Sequence, residues 1–445
     1  AEKLLPIEVP IRYYTIRAPE DMPVPDDALA APPSPLPFER RLVALEAIAD
    51  PPAISCVKFV RISDREPQQL LICDMRHGVV VLWDPVRPPA SARVIAHIPH
   101  PCRTQVVDLD GDGLRDILVA NLGEYWPVDT DKGTVVWLRN RGGGRFEKIV
   151  LADKLSRVAD LQAVDFDGDG DLDIVAAAFG QVNTGGIVYL ENITRDWAHP
   201  EFEPSVLDYR VGPSDVHVTD LNGDGHPDFV SLLSQEHEKV VAFINRGWGS
   251  FSTETVYAAP HCAWSSVGIR LIDLNGDGKT DVLMANGDQI EVEPVPRPYH
   301  GLGWLENQGT YPFTYHRLTH MPGAHTLLPC DLDGDGKTDI VSSAFIAIFN
   351  PKWPDADKID SMVWLKQTAP GAFVKYSLET STPFHPVGDV GDIDGDGAVD
   401  IVMGNFYFMP AKDESHKACL TVLRNQRIRR EQGLPPVTQN GARSK

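Results

Sequence analysis

The sequence predicts an all-β fold: a seven-bladed β-propeller of four-stranded antiparallel blades, closed by the N-terminal strand completing the last blade. Three observations predict it. An acidic nonapeptide recurs six times at intervals of 53 to 61 residues, four short apolar runs fill each interval, and a strand-like segment near the start has no blade of its own. Length alone, 445 residues, would suggest about three domains, but a repeat of this period replaces that count with one closed ring.

The nonapeptides are DLDGDGLRD, DFDGDGDLD, DLNGDGHPD, DLNGDGKTD, DLDGDGKTD and DIDGDGAVD, starting at Asp108, Asp165, Asp220, Asp273, Asp331 and Asp392. Each is preceded by one apolar run and followed by another, such as DILVAN, DIVAAAF or DVLMAN. A third run ends each unit's inner half: Thr134–Asn140, Gly186–Asn192, Val240–Asn245, Gly301–Asn307, Met362–Gln367 and Leu420–Asn425. A fourth begins near Phe146, Phe202, Phe251, Phe313 and Phe373. Short β-rich runs separated by Gly, Asn and Pro turns are the composition of propeller blades. Residues 54–98 repeat the rhythm as SCVKFVRI, QLLICD, GVVVLWD and ARVIAHI, but the turn SDREPQQ lacks the carboxylates. This is a first blade without an ion site, which brings the total to seven.

No Phe-led strand follows Asn425, whereas PFERRLVALEAI (Pro37–Ile48) has that form and no blade to join. Pairing the two completes the last blade and removes an exposed strand edge. The expected organisation is a Pro-rich arm over 1–36, the propeller over 37–425 and a basic tail over 426–445.

The spacing D-x-[D/N]-G-D-G-x-x-D presents oxygen side chains at positions 1, 3, 5 and 9, with glycines at the sharp turn. Hard oxygen donors in a flexible loop suit Ca²⁺ better than Mg²⁺. The expected ligands are Asp108, Asp110, Asp112 and Asp116; Asp165, Asp167, Asp169 and Asp173; and Asp220, Asn222, Asp224 and Asp228. The other three loops supply Asp273, Asn275, Asp277 and Asp281; Asp331, Asp333, Asp335 and Asp339; and Asp392, Asp394, Asp396 and Asp400. Without a cation each cluster repels itself, so up to six structural Ca²⁺ are expected, offsetting twelve of the 22 net negative charges.

That net charge argues against a nucleic-acid partner, and no apolar run is long enough to span a membrane. The chain starts at Ala1, from which we expect an exported, periplasmic or extracellular protein whose leader has been removed. Six scattered cysteines form no CxxC, which excludes a zinc ribbon and a c-type haem; buried thiols are expected. There is no HExxH, no GxSxG elbow and no phosphate loop after a strand.

On the face opposite the acidic loops, Gly287–His300, Ile346–Asp360 and Phe406–Lys417 are long and rich in Pro and aromatics. They offer Tyr299, His300, Trp353, Phe406, Tyr407 and Phe408 as anchors for a partner. Asp160, Asp215, His325 and His385 are the candidates for a catalytic role in an axial pocket.

The loops, the blade rhythm and the Phe-led strands resemble the FG-GAP/VCBS family of β-propellers, which includes the integrin α-subunit head. The family wording survives as AFG at Ala178–Gly180 and is degraded to ANLG, ANGD and GNF elsewhere. The resemblance implies calcium hairpins on one face and partner-binding loops on the other. It also implies an exported protein, of the kind found as accessory domains of c-type cytochrome or carbohydrate-active proteins. The leading expectation is a non-catalytic interaction module, or an accessory subunit of a larger, cytochrome-containing membrane assembly. Two alternatives stay open: a sugar lyase or dehydratase using the axial pocket, and adhesion to a cell surface, polysaccharide or other glycan.

Overall fold

The computed structural model describes residues 31–261, 264–288, 297, 299–347, 349, 356–408 and 417–428. Trp353, Cys262 and most of the two flanks lie outside the described residues. The strands, β1 to β28 in chain order, form seven separate four-stranded antiparallel sheets. Six sheets take four consecutive strands each, from β2–β5 to β22–β25. The seventh has the order β1-β28-β27-β26, joining the two ends of the chain. In it β1 (Phe38–Val43) pairs with β28 (Leu420–Asn425) from Phe38 opposite Asn425 to Val43 opposite Leu420. The seven blades and the closing strand are as the repeats predict.

Position within a blade sets composition. The second strands, such as Asp116–Asn121, Asp173–Ala178 and Asp228–Leu233, are buried at every residue, because neighbouring blades cover both faces. That is why they read as continuous apolar runs rather than alternating ones. The outermost strands, such as Phe202–Asp208, are largely exposed and polar. Seven apolar layers fill the seven gaps between blades. The layer between the last blade and the first joins Ile54, Ile72 and Val81 to Val402, Leu420 and Val422, with Leu45 beside them. Burying each such side chain stabilises by roughly 1.5–3 kcal/mol, so closing the ring adds a layer that an open array would lack.

The innermost strands surround the axis: β2 (Ile54–Val60), β6 (Pro101–Val107), β10 (Val158–Val164), β14 (Pro213–Thr219), β18 (Ser266–Ile272), β22 (Leu328–Cys330) and β26 (Val387–Gly391). In the first five, the pairing register slips near the strand's start, for example between Val158 and Asp160 and between Pro213 and Asp215. Such a bulge re-aims the side chain that follows it. Inner strands of adjacent blades are joined by side chains: Asp160 accepts from the Val216 N–H (3.2 Å), Asp389 from the Phe59 N–H (2.8 Å), and Gln105 from the Ala163 N–H (2.6 Å). Among the described residues the cysteines are free, with Cys56, Cys73 and Cys419 buried.

Candidate functional site: acidic loops, axial channel and opposite face

Each acidic loop joins the first and second strands of its blade, so all six lie at the same end of the propeller. Glycines at positions 4 and 6 have φ between 67° and 98°, the left-handed region that a side chain would strain. The position-1 carboxylate accepts the N–H of position 6 at 2.8–3.1 Å in all six loops. The position-5 carboxylate accepts the N–H of position 7 at 2.8–3.0 Å. In the four loops with Asp at position 3, oxygens of positions 1, 3 and 9 lie within 4.8 Å of one another. Three hard oxygen donors converging on a tight turn fit a Ca²⁺-sized cation.

Position 9 also has a structural task. Its carboxylate accepts the N–H of position 2 at 2.9–3.3 Å and the N–H ending the third strand at 2.6–2.8 Å. Burial pushes all six of these carboxyls upward, Asp173 to about 6 and Asp400 to about 7, partly against those hydrogen bonds. A cation beside them would relieve that penalty. The residue supplying the second N–H is Asn140, Asn192, Asn245, Asn307, Gln367 or Asn425. The five asparagines also donate Nδ2 to the position-8 carbonyl. Asn192 heads an Asn-Ile-Thr triplet, yet its side chain is buried in this role.

The residue before that Asn or Gln faces position 3 and follows a pattern that can be read across the repeats. Where position 3 is Asp in the second, sixth and seventh blades, it is basic: Arg139 meets Asp110 (2.5 Å), Lys366 meets Asp333, and Arg424 meets Asp394. Where position 3 is Asn222 or Asn275, the corresponding residue is Ile244 or Glu306. Counting the four loop positions and this residue, four loops therefore carry a formal charge of −3, and the fifth blade's, with Glu306, carries −4. The third blade alone keeps four aspartates with Glu191 in place of a base. In the first blade the equivalent register, Val60 opposite Gln69, puts Arg61, Ser63, Arg65 and Gln69 at positions 1, 3, 5 and 9. Two of those four are arginines, which offer no oxygen donor to a cation.

The axial channel holds a cavity of about 320 Å³ lined from all seven inner strands or their approaches. Asp160 and His325 line it, as do Lys58, Arg103, His217, Arg270 and Asp389. Asp215 is fully buried in its wall, its Oδ1 3.6 Å from Arg103, 3.6 Å from His217 and 3.7 Å from Arg270. Burial would raise that carboxyl, but Arg103, His217 and Arg270 together hold it down to about 2. Burial lowers His325 to about 4, with Arg103 adding repulsion. Asp160 lines the channel and Asp215 lies buried behind its surface, each following a slip in its strand's pairing register. His385 is elsewhere, buried and paired with Glu379 at 2.7 Å.

On the opposite face, Tyr299, His300 and Tyr407 are buried and hold loops to the ring, whereas Phe406 and Phe408 are half-exposed. Two aromatics that sequence reasoning passed over, Tyr125 and Trp126, extend this surface from the second blade. Tyr125 stacks on Phe406 and Phe408 at 6.3 and 6.5 Å, and Trp126 meets Phe408 edge-on at 5.5 Å. Phe345 continues the row beyond Phe406. Arg76 ties it together, donating to the Tyr125 hydroxyl (3.0 Å) and to the carbonyls of Tyr407 (2.6 Å) and Phe408 (3.2 Å). The cluster thus runs across the sixth, seventh, first and second blades. The Tyr-Trp pair in GEYWPVDTDKG was the available signal.

The FG-GAP-like repeat model matches residues 108–176 and 220–284, each stretch containing acidic loops and the strands around them. A search of curated proteins gives no match. Among the described residues no helix is long and apolar enough to cross a membrane. The two matched stretches reach into four of the seven four-stranded blades, and together with that ring they support an FG-GAP β-propeller family for this chain.

Proposed function

We propose that this chain is an exported, calcium-stabilised propeller that acts as a non-catalytic interaction module, an accessory subunit of a larger assembly. The observation that carries the reading is the aromatic row on the face opposite the acidic loops. Trp126 is 48% exposed there, beside half-exposed Phe406 and Phe408, on loops braced by Arg76. Exposed aromatics held rigidly are the usual anchors of protein interfaces, since they bring large apolar area with little entropy to lose. The acidic loops would supply rigidity from the other end: Ca²⁺ bound at positions 1, 3, 5 and 9 would offset two of each turn's negative charges and fix the first two strands of its blade.

The test is the native mass of the untagged protein from its source, with a visible spectrum of the same fraction. A large particle that Trp126→Ala with Phe408→Ala reduces to the monomer, at unchanged thermal midpoint, supports the module. A haem band in that particle would identify a cytochrome-containing assembly, the partner class suggested by the family resemblance. A monomer from the source, whose mass the double variant does not alter, overturns the reading. Retention on a glycan array that chelation abolishes would instead favour adhesion.

A further inference from the structure

We infer that the axial channel is a binding site for a small oxyanion, a carboxylate or a phosphate, gripped by the guanidinium of Arg103 with Arg270 beside it. The argument rests on which hydrogen-bonding groups of the channel are engaged and which are free. Arg103 lines the cavity and makes no hydrogen bond among the described residues; its one ion pair, to Asp215, is 3.6 Å long. A guanidinium carries five N–H donors in a planar fork, and the Arg103 side chain, 20% exposed, leaves them open to a ligand in the cavity. Arg270 donates through one nitrogen, to the Ile269 carbonyl (2.8 Å) and toward His217 (3.3 Å), which leaves its other donors available.

Two acids that line the cavity are already engaged by backbone N–H groups. Asp160 accepts the N–H groups of Leu161 (2.9 Å) and Val216 (3.2 Å), and Asp389 accepts those of Val390 (2.9 Å) and Phe59 (2.8 Å). Asp215 is fully buried behind the arginines, where it holds two like charges close together. Gly268 stands beside it, at the place where other inner strands carry Cys56, Arg103, Asp160 and Asp215, and its missing side chain leaves space there. Asp215 does not line the cavity, and its Oδ1 faces only Arg103, His217 and Arg270, whereas the guanidinium donors of Arg103 and Arg270 reach the cavity itself, so the complementary ligand is an acceptor. Paired guanidinium groups match carboxylate and phosphate oxygens bidentately.

Asp160, Asp215 and His217 also lie close enough to suggest a cation site. Two arginines within 3.7 Å of the same carboxylate oxygen oppose a cation there and favour the anion.

The site is tested on the full chain by phenylglyoxal footprinting with mass spectrometry, in malonate, in inorganic phosphate and in chloride at matched ionic strength. Arg103 is expected to react in chloride and to be protected at least severalfold by malonate or phosphate, while exposed Arg65 reacts equally throughout. Protection by malonate alone assigns a carboxylate ligand, and by phosphate alone a phosphate. Equal modification in all three salts overturns the inference, as does an Arg103 that never reacts, since the channel would then be closed to ligands. As a second measurement, Arg103→Lys retains the charge beside Asp215 but lacks the fork. It should weaken the anion's stabilising effect on the thermal midpoint at least tenfold in half-saturating concentration, and an unchanged response would count against the site.

Discussion

At the scale of single residues, side chains do the work that backbone pairing does elsewhere. Asp129, in the loop between the second and third strands of the second blade, accepts N–H groups from Gln181, Val182, Asn183 and Thr184 at 3.0–3.2 Å. It also accepts from the Asn183 amide and the Thr184 hydroxyl. Burial opposes the charge, but these donors hold the carboxyl down to about 2. An unfolded Asp titrates near 3.9, so the latch contributes fully above that pH and is lost as pH falls through about 2. Asp129→Asn should increase hydrogen exchange at 181–184 at neutral pH, with a small drop in thermal midpoint, and should match the parent near pH 2. Equal exchange at pH 7 would contradict the latch. Asn245 is a second case: fully buried, it donates to the Phe166 carbonyl of the preceding blade (2.7 Å) and the Pro227 carbonyl (3.2 Å). Asn245→Ala leaves those acceptors and should cost about 1–3 kcal/mol in denaturant unfolding.

At the scale of the loop and its blade, sharing one nonapeptide does not make the six sites equivalent. Arg139, Lys366 and Arg424 already offset the position-3 aspartate in three blades, and Asn222 and Asn275 remove it in two. In the third blade Asp165, Asp167, Asp169 and Asp173 have no such partner, and burial with repulsion from Asp169 and Asp165 raises the Asp167 carboxyl. Chelation should therefore loosen residues 165–173 first and furthest, read by hydrogen exchange loop by loop. Glu191→Arg should bring that loop into line with the others. If every loop responds alike, the charge pattern has no such consequence; if none responds, calcium is not structural at all. A site held at a hundredfold excess over its Kd adds about 2.7 kcal/mol, so chelation should also lower the thermal midpoint markedly.

What the sequence made legible at this scale follows from periodicity. Blade number, strand order and loop chemistry repeat, and six copies of one pattern leave little freedom. The basic residue in WLRN, WLKQ and VLRN was visible too, but its meaning depends on which face of the third strand it occupies. The sequence assigned Asp160 and Asp215 to an axial pocket, but the register slip beside each was not legible, because a one-residue bulge leaves no mark on an apolar run. Nor was the row from Tyr125 to Phe406, which joins residues that are 281 positions apart in sequence only because the ring closes between them.

At the scale of the whole molecule, closure is the property on which the rest depends. The aromatic row crosses the junction between the last blade and the first, and the channel needs all seven inner strands around it. Two features hold that junction. One is the β1–β28 ladder, six residue pairs long; the other is the apolar layer in which Leu45 is 2% exposed. They fail differently. Leu45→Ala hollows the layer but leaves the ladder intact, so it should cost about 2–5 kcal/mol while the protein stays monomeric in dilute solution. Deleting residues 31–43 removes the ladder and bares the edge of β28, a row of unpaired N–H and C=O groups open to pairing with another chain. That variant should associate as its concentration rises, which sedimentation at several concentrations would show. It should also weaken the stacking of Tyr125 on Phe406, because the apolar layer alone then holds the last blade against the first. If the truncated chain instead remains monomeric with an unchanged thermal midpoint, the apolar layers alone close the ring and the terminal strand is dispensable.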